Sequence, residues 1–242
     1  METQPEKYRQ RLRGKGAACS DSHQSYWDEE RQTGADDRNI REANTADLAQ
    51  LVTLHQRSFP GFLMTMLGGR FLRVYYEAAL ECTGTLALIA EEGGRAEGFV
   101  VGYVAPQEFY ALLRSRRLSL ALAAVRGLLL APGLLPRVLG NLRRLRRFAD
   151  CSSHAAGGAE LASIGVLPAG SGRGLGKALV TEFIRCARTS AVEYVYLTTD
   201  AVDNDNVNGF YCGLGFVRSN TFLVPGGRLM NEYTLPLENR AQ

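Results

Sequence analysis

A chain of 242 residues is long enough for one substantial domain and short for two. Its 45% hydrophobic and 22% charged fractions are those of an ordinary globular protein, and a net charge of +3 is too mild to argue for nucleic acid as a partner. Five scattered cysteines (Cys19, Cys82, Cys151, Cys186, Cys212) without a CxxC pair, and only His23, His55 and His154, give no metal-ligand spacing. The thiols therefore read as reduced, the compartment as cytoplasmic, and no metal is expected.

Residues 1–37 are polar, mixed in charge and poor in aliphatic side chains, which predicts a disordered tail. The basic residues of "METQPEKYRQRLRGKG" have no apolar run behind them, so this start is not read as a signal peptide. The longest candidate for a membrane span, Leu118 to Leu130, is broken by Arg126 and Gly127 and closed by Pro132.

Residues 38–242 read as a single domain. A short strand is predicted at Asn39–Glu42, followed by a helix over Ala46–Ser58 capped by Asn44 or Thr45. "GFLMTMLGGRFLRVYYEAALE" reads as a second helical stretch interrupted near Gly68-Gly69. "TLALIAEEGGRAEGFVVGYVA" carries two β-rich runs around Glu92-Gly93-Gly94-Arg95, a hairpin signal. An atypical insertion spans residues 106–157. Beyond it come a buried strand in "AELASIGVL", the glycine-rich "GSGRGLGKAL", and a helix from Gly174 to about Thr189. "VEYVYLTT" predicts another strand, and Asn204 or Asp205 can cap a short helix stopped by Gly215. "FVRSNTFLV" and "RLMNEYTLPL" close the chain as a hairpin. The expected class is α/β, with a mixed central sheet flanked by helices.

The glycine-rich stretch poses a question of ligand. A nucleoside-triphosphate loop needs GxxxxGK followed by Ser or Thr, but Ser171 stands at its first glycine and Ala178 at its hydroxyl. A dinucleotide loop needs GxGxxG, and Leu175 or Lys177 falls on the third glycine. What remains is a glycine turn ahead of a helix N-terminus, whose unpaired N–H groups and dipole attract an anion. A turn without any ligand stays open at this level.

"ELASIGVLPAGSGRGLGKALV" resembles the acetyl-CoA-binding signature of the GNAT N-acetyltransferase superfamily. The family's Arg/Gln-x-x-Gly-x-Gly/Ala is matched by Ser171-x-x-Gly174-x-Gly176 except at its first position. "NDNVNGFYCGLGF", Asn204 to Phe216, is similar to the family's terminal signature and complete. The resemblance covers roughly residues 39–237 and implies the GNAT fold, with acetyl-CoA as co-substrate and a primary amine as acceptor. It further implies that Ile164, Gly165 and Val166 align the pantetheine arm by their backbone, and that the loop from Ser171 through Gly172, Arg173, Gly174, Leu175, Gly176 and Lys177 holds the pyrophosphate. Asn204 would contact CoA, although as an N-cap it has a structural explanation as well; Arg173 and Lys177 meet phosphates or only solvent.

The family reaction, direct attack of an amine on a thioester, needs a base because an alkylamine with a pKa near ~10 is protonated at neutral pH. Glu160, at the head of the strand, is the candidate base, against a plain salt-bridged carboxylate. His55 is a rival, or a packed side chain, and His55 and Phe59 are the acceptor-side candidates. Tyr211 is the candidate acid for the departing thiolate, against a plain core tyrosine.

The insertion is strongly asymmetric: Phe109 to Ala149 holds nine arginines and no acidic residue. Three readings stand: helical packing with the arginines as its solvated face, a wall for an anionic acceptor such as a nucleotide-linked amino sugar, or a membrane-surface segment. "LHQRSFPGFLMTMLGGRFLRVYY" is also similar to a GNAT subgroup associated with cell-surface polysaccharide biosynthesis, which favours an amino sugar. The alternatives are a protein, peptide or aminoglycoside acceptor, and a non-catalytic CoA-binding or membrane-docking module. A homodimer is an expectation from the family alone.

Overall fold

The computed structural model describes residues 39–130, 132–135, 157–168, 172–190, 192–224 and 227–237. The expected disordered tail, Ser171 and most of the second half of the insertion lie outside them. Seven strands form one sheet in the order β1-β2-β3-β4-β5-β7-β6, where β1 is Asn39–Glu42, β2 Thr85–Glu92, β3 Arg95–Tyr103, β4 Gly158–Val166, β5 Tyr194–Asp200, β6 Val217–Leu223 and β7 Leu229–Pro236. Every neighbouring pair is antiparallel except β4 and β5. The mixed sheet expected from the sequence is thus present.

Helix α1 (Leu48–Ser58) follows a 3-10 turn at Thr45–Asp47. Asn44 accepts from the Ala46 N–H, and Asp47 accepts from the Asn44 N–H, so both ends of a capping box are closed. Asp47 also pairs with Arg41 of β1 at 2.8 Å, which ties the helix start to the sheet edge and holds its carboxyl below the usual range. Gly68, at φ 97, separates α2 (Leu63–Leu67) from α3 (Gly69–Glu81), the interruption that the Gly-Gly pair announced.

Helices α1 and α3 lie on one face of the sheet and bury Leu51, Leu54, Leu72 and Tyr76 against Ile89, Phe99 and Val101. Helix α6 (Leu175–Thr189) packs on β2, β3 and β4 with Leu179 and Phe183 fully buried. Spacings of three and four residues along each helix generate these apolar faces.

The insertion between β3 and β4 is helical as far as it is described: α4 (Pro106–Ser115) and α5 (Arg117–Leu130), followed by a 3-10 turn at Pro132–Leu134. Its arginines with described side chains are Arg114, Arg116 and Arg117. Arg116 is bound to Glu81 of α3, and the other two are exposed. Within α5, the exposed side chains include Leu118, Leu122, Val125 and Leu129 beside Arg117.

One irregularity shapes the sheet. Val101 pairs with Ser163 and Gly102 with Leu161, so Ala162 is an extra residue, a β-bulge in β4. Glu160, Ser163 and Gly165 therefore oppose Tyr103, Val101 and Phe99, alternate residues of β3, and share one face. Without the bulge, Glu160 and Ser163 would point to opposite faces. A side chain on Gly102 would overlap the Glu160 carbonyl oxygen and the Phe183 ring, so glycine is what lets the bulge close on β3. Gly102→Ala should lower unfolding stability by roughly 1–3 kcal/mol or more in urea titration. Gly209→Ala, whose added methyl meets nothing within 4 Å, should instead raise it by about 0.5–1 kcal/mol.

Candidate active site

Strands β4 and β5 hydrogen-bond only from Gly158↔Tyr194 to Glu160↔Tyr196, although β4 runs on to Val166 and β5 to Asp200. Beyond Glu160 the two strands part. Among the described residues the β5 side of β4 has no strand partner from Leu161 onward, while β5 stays paired with β7 through Asp200. A strand edge of this kind presents alternate N–H and C=O groups to whatever enters the gap. Ile164, Gly165 and Val166, expected to hold pantetheine, lie on that edge.

Gly165 has an additional reason to be glycine. A Cβ there would stand 2.7 Å from Ser58 Oγ and 2.7 Å from the Phe99 ring, so the C-terminal turn of α1 rests directly on β4. The absence of a side chain at Gly165 thus serves the packing of α1 on the sheet.

At the end of the gap stands the glycine turn. Gly172 and Gly174 have φ of 79° and 78°, the left-handed region that favours glycine, and Gly174 is the N-cap of α6. The Ala178 N–H donates to the Gly174 carbonyl, and the N–H groups of the first turn ahead of it point from the start of the helix toward the gap. Four residues of the turn thus have separate parts. The Leu175 side chain is buried core, Gly176 would tolerate a Cβ at ordinary contact distance, and Arg173 pairs with Glu92 of β2 at 2.6 Å. Lys177 is the residue that carries the charge into the first turn.

The second motif meets the first. A Cβ on Gly176 would lie 3.6 Å from the Phe210 ring, which places α7 (Asp205–Gly213) against the N-terminus of α6. Asn204 stands at the N-cap of α7 without capping it. Its amide donates instead to Thr199 Oγ1 at 2.9 Å and to the Asp200 carbonyl at 3.1 Å. Asn208 donates to the same carbonyl and accepts from Asn231 and from the Tyr233 hydroxyl. The asparagines of the motif therefore bind α7 to the end of β5 and to β7. The expected N-cap explanation of Asn204 is corrected to this one.

Tyr211, in the middle of α7, is nearly buried among Phe210, Phe216 and Tyr233. Its hydroxyl has no hydrogen-bond partner among the described residues, and burial pushes its pKa up. The phenol is therefore a proton donor at any working pH and never a competing base.

Glu160 occupies the last residue pair before the strands part. Both of its carboxylate oxygens accept from the Tyr110 hydroxyl, each at 3.0 Å, and Tyr196, its partner across β5, is hydrogen-bonded to it as well. Tyr110 belongs to α4, so the insertion supplies part of this site. Tyr103, opposite Glu160 on β3, stacks on Phe109 at 3.7 Å and shares a 3.0 Å hydroxyl contact with Tyr75 of α3. Burial raises the pKa of all four tyrosines, and the Glu160 charge raises Tyr75, Tyr110 and Tyr196 further. The carboxylate is thus ringed by neutral hydroxyls. Sequence reasoning did not single out these tyrosines, because they come from four separate elements.

His55 is packed, not exposed. Its Nδ1 lies 2.7 Å from the Tyr76 hydroxyl, and its ring meets Phe59 at 4.8 Å and Phe99 at 6.2 Å. Ser163 of β4 lies near enough to the Tyr76 hydroxyl to offset slightly the rise in pKa that burial causes. Phe59 is half-buried between His55 and Phe62. Burial lowers the His55 pKa to about 4, so the ring is neutral at pH 7 and a weak base. Among the described residues no group of three or more His, Cys, Asp or Glu could hold a metal ion.

The His55 shift fixes a pH effect. Between about 4 and the ordinary 6.5, the unfolded chain binds the proton and the native one does not. This contribution to stability is present above 6.5 and is lost as pH falls toward 4. From pH 7 to pH 4, the wild type should lose about 3 kcal/mol more than His55→Gln does, measured by urea unfolding at each pH.

Comparisons with known proteins agree with this geometry. The model of the acetyltransferase (GNAT) family matches residues 48–216. A comparison by sequence with curated proteins gives no match. Among solved structures, the chain is similar to a GNAT-family protein from Desulfovibrio desulfuricans, with TM-score 0.54 and 14% identity over 82% of this chain and 98% of that one. An N-acetyltransferase from Staphylococcus aureus gives TM-score 0.52 and 14% identity over 83% and 99%. A ribosomal-protein alanine N-acetyltransferase from Escherichia coli gives 0.50 and 15% over 85% and 99%. At these identities the likeness shows the shared fold. The family match spans well over half of the chain, both of its motifs lie at the gap between β4 and β5, and the chain belongs to the GNAT family of acetyltransferases.

Proposed function

We propose that this acetyltransferase moves the acetyl group of acetyl-CoA to the primary amine of a small molecule, a nucleotide-linked amino sugar, with Glu160 as the base and Tyr211 as the acid. The observation that carries the reading is the place of Glu160, at the point where β4 leaves β5 and beside the open strand edge. Acetyl-CoA enters as an extra strand there, its pyrophosphate over the N–H groups that begin α6 and its thioester near the β4 backbone.

Glu160 takes a proton from the acceptor ammonium, directly or across one water. The neutral nitrogen then attacks the thioester carbonyl carbon, and negative charge gathers on the carbonyl oxygen, where a β4 N–H stabilises it. Collapse breaks the C–S bond, and the second proton shed by the nitrogen as it becomes an amide passes to the departing sulfur, leaving an amide and the thiol of CoA. Tyr211 donates toward the sulfur as that charge develops. A phenol with a raised pKa does not give its proton readily to an ordinary thiolate of pKa ~8.5, so its main contribution is the hydrogen bond.

The acceptor class rests on the walls of the site. Tyr75 and Tyr110, half-buried in front of the buried Tyr103 and Tyr196, offer rings and hydroxyls but no charge, a surface suited to a sugar ring. Arg114 and Arg117 are the nearest exposed cations in sequence to Tyr110, Arg116 between them being bound to Glu81, and phosphates pair with guanidinium groups.

Thiol release from acetyl-CoA, followed with nucleotide amino sugars, peptides and aminoglycosides, tests the acceptor. Strong stimulation by the first class is expected, and preference for either of the others overturns it. Glu160→Gln should lower kcat/KM by about 10²–10⁴ at neutral pH, and by less near pH 10, where the amine is already neutral. Tyr211→Phe should lower kcat and leave CoA affinity in calorimetry nearly intact; a collapse of affinity would make Tyr211 structural.

A further inference from the structure

Helix α5 is apolar on two opposite sides. Its inner side packs on α2: Ala124 is buried, and a Cβ on Gly127 would stand 2.6 Å from the Leu67 carbonyl oxygen. At about 100° per residue, Leu118, Leu122, Val125 and Leu129 all fall on the side opposite Gly127. Their exposures are 73%, 75%, 45% and 77%. Leu135, a few residues beyond the helix, and Phe62, just ahead of α2, are exposed as well. Four large side chains aligned along one helix and left in water mark a surface that something covers.

Three occupants fit a leucine stripe: a second copy of the chain, the chain's own residues 136–156, and a lipid bilayer. Charge separates them. Phe109 to Ala149 carries nine arginines without one acidic residue. A two-fold pairing through α5 would bring that stretch against its own copy, cation facing cation. Residues 136–156 hold five of those arginines and would set them beside Arg114 and Arg117. An anionic membrane surface pairs with the arginines and receives the leucines at once. At 14 residues α5 is only about 21 Å long, against roughly 30 Å of hydrocarbon, so it lies along a bilayer and does not cross it. No helix of the described residues is long and apolar enough to cross one.

We propose that the outer face of α5 docks the enzyme on an anionic lipid bilayer, with Leu118, Leu122, Val125 and Leu129 inserted at the interface. This holds whichever amine is acetylated. The test is co-sedimentation of the full-length protein with vesicles of phosphatidylcholine alone, or with an equal part of phosphatidylglycerol. Affinity for the anionic vesicles should exceed that for the neutral ones by about tenfold or more and should weaken with salt. The variant Leu118→Ser/Leu122→Ser/Leu129→Ser should lose about tenfold or more of that binding while keeping its circular dichroism and its thiol release in solution.

Absence of binding to anionic vesicles overturns the proposal. Binding unchanged in the serine variant overturns it too, since the arginines alone would then hold the surface. Sedimentation velocity supplies the third outcome: a wild-type dimer that becomes a monomer in the serine variant would assign the stripe to a second copy.

Discussion

Of the six junctions between the seven strands, five carry longer ladders of four to eight residue pairs, whereas β4 pairs with β5 over three residues and stops at Glu160 and Tyr196. Everything functional in the domain depends on that parting. The bulge at Ala162 bends β4 immediately after its last bond to β5, and β-bulges bend and twist the strand that carries them. Gly102 permits the bulge by offering no side chain to the Glu160 carbonyl or to Phe183. On the opposite flank, β5 is held to β7 along its whole length, so it does not follow β4. A bend in one strand and a clamp on the other open a gap inside a sheet that is otherwise closed.

The same bulge sets the electrostatics. By restoring Glu160 and Ser163 to one face, it points the carboxylate into the tyrosines and Ser163 toward the Tyr76–His55 pair. Each of these groups is polar, and each is matched by another neutral group or by the one carboxylate. Burial keeps the tyrosines protonated and His55 unprotonated. Hydroxyl groups from α4 and β5 order the Glu160 carboxylate at the point where the strands part.

Much of this was legible in the chain itself. The strands, the break at Gly68 and the capped start of α1 follow from local rules, and the glycine loop with "NDNVNGFY" marks the two banks of the CoA side. That these motifs touch, through Phe210 and Gly176, adds the contact their spacing could not supply. The bulge was not legible, because an exposed alanine between Leu161 and Ser163 has no signature. Nor was the tyrosine ring, whose members lie in α3, β3, α4 and β5 and converge only when the sheet forms. Gly165 and Asn204 were legible as special positions, but their contacts within the fold were not. Gly165 admits Ser58, and Asn204 ties α7 to β5.

The insertion joins the two sides of the proposed function. Its first helix sends Tyr110 to Glu160, and its second sends a row of leucines outward, one turn of chain further on. Arg116 sits between them, with its carbonyl accepting from Leu120 and its guanidinium bound to Glu81 of α3. Gly127 fixes α5 to α2 at a distance only glycine allows, so α5 is a rigid attachment rather than a loose arm. A bilayer seated on that helix would therefore hold the acceptor side of the site at a set orientation to the membrane. The arginine excess, which by itself reads equally as a solvated face, would then have a physical reason to be on this insertion.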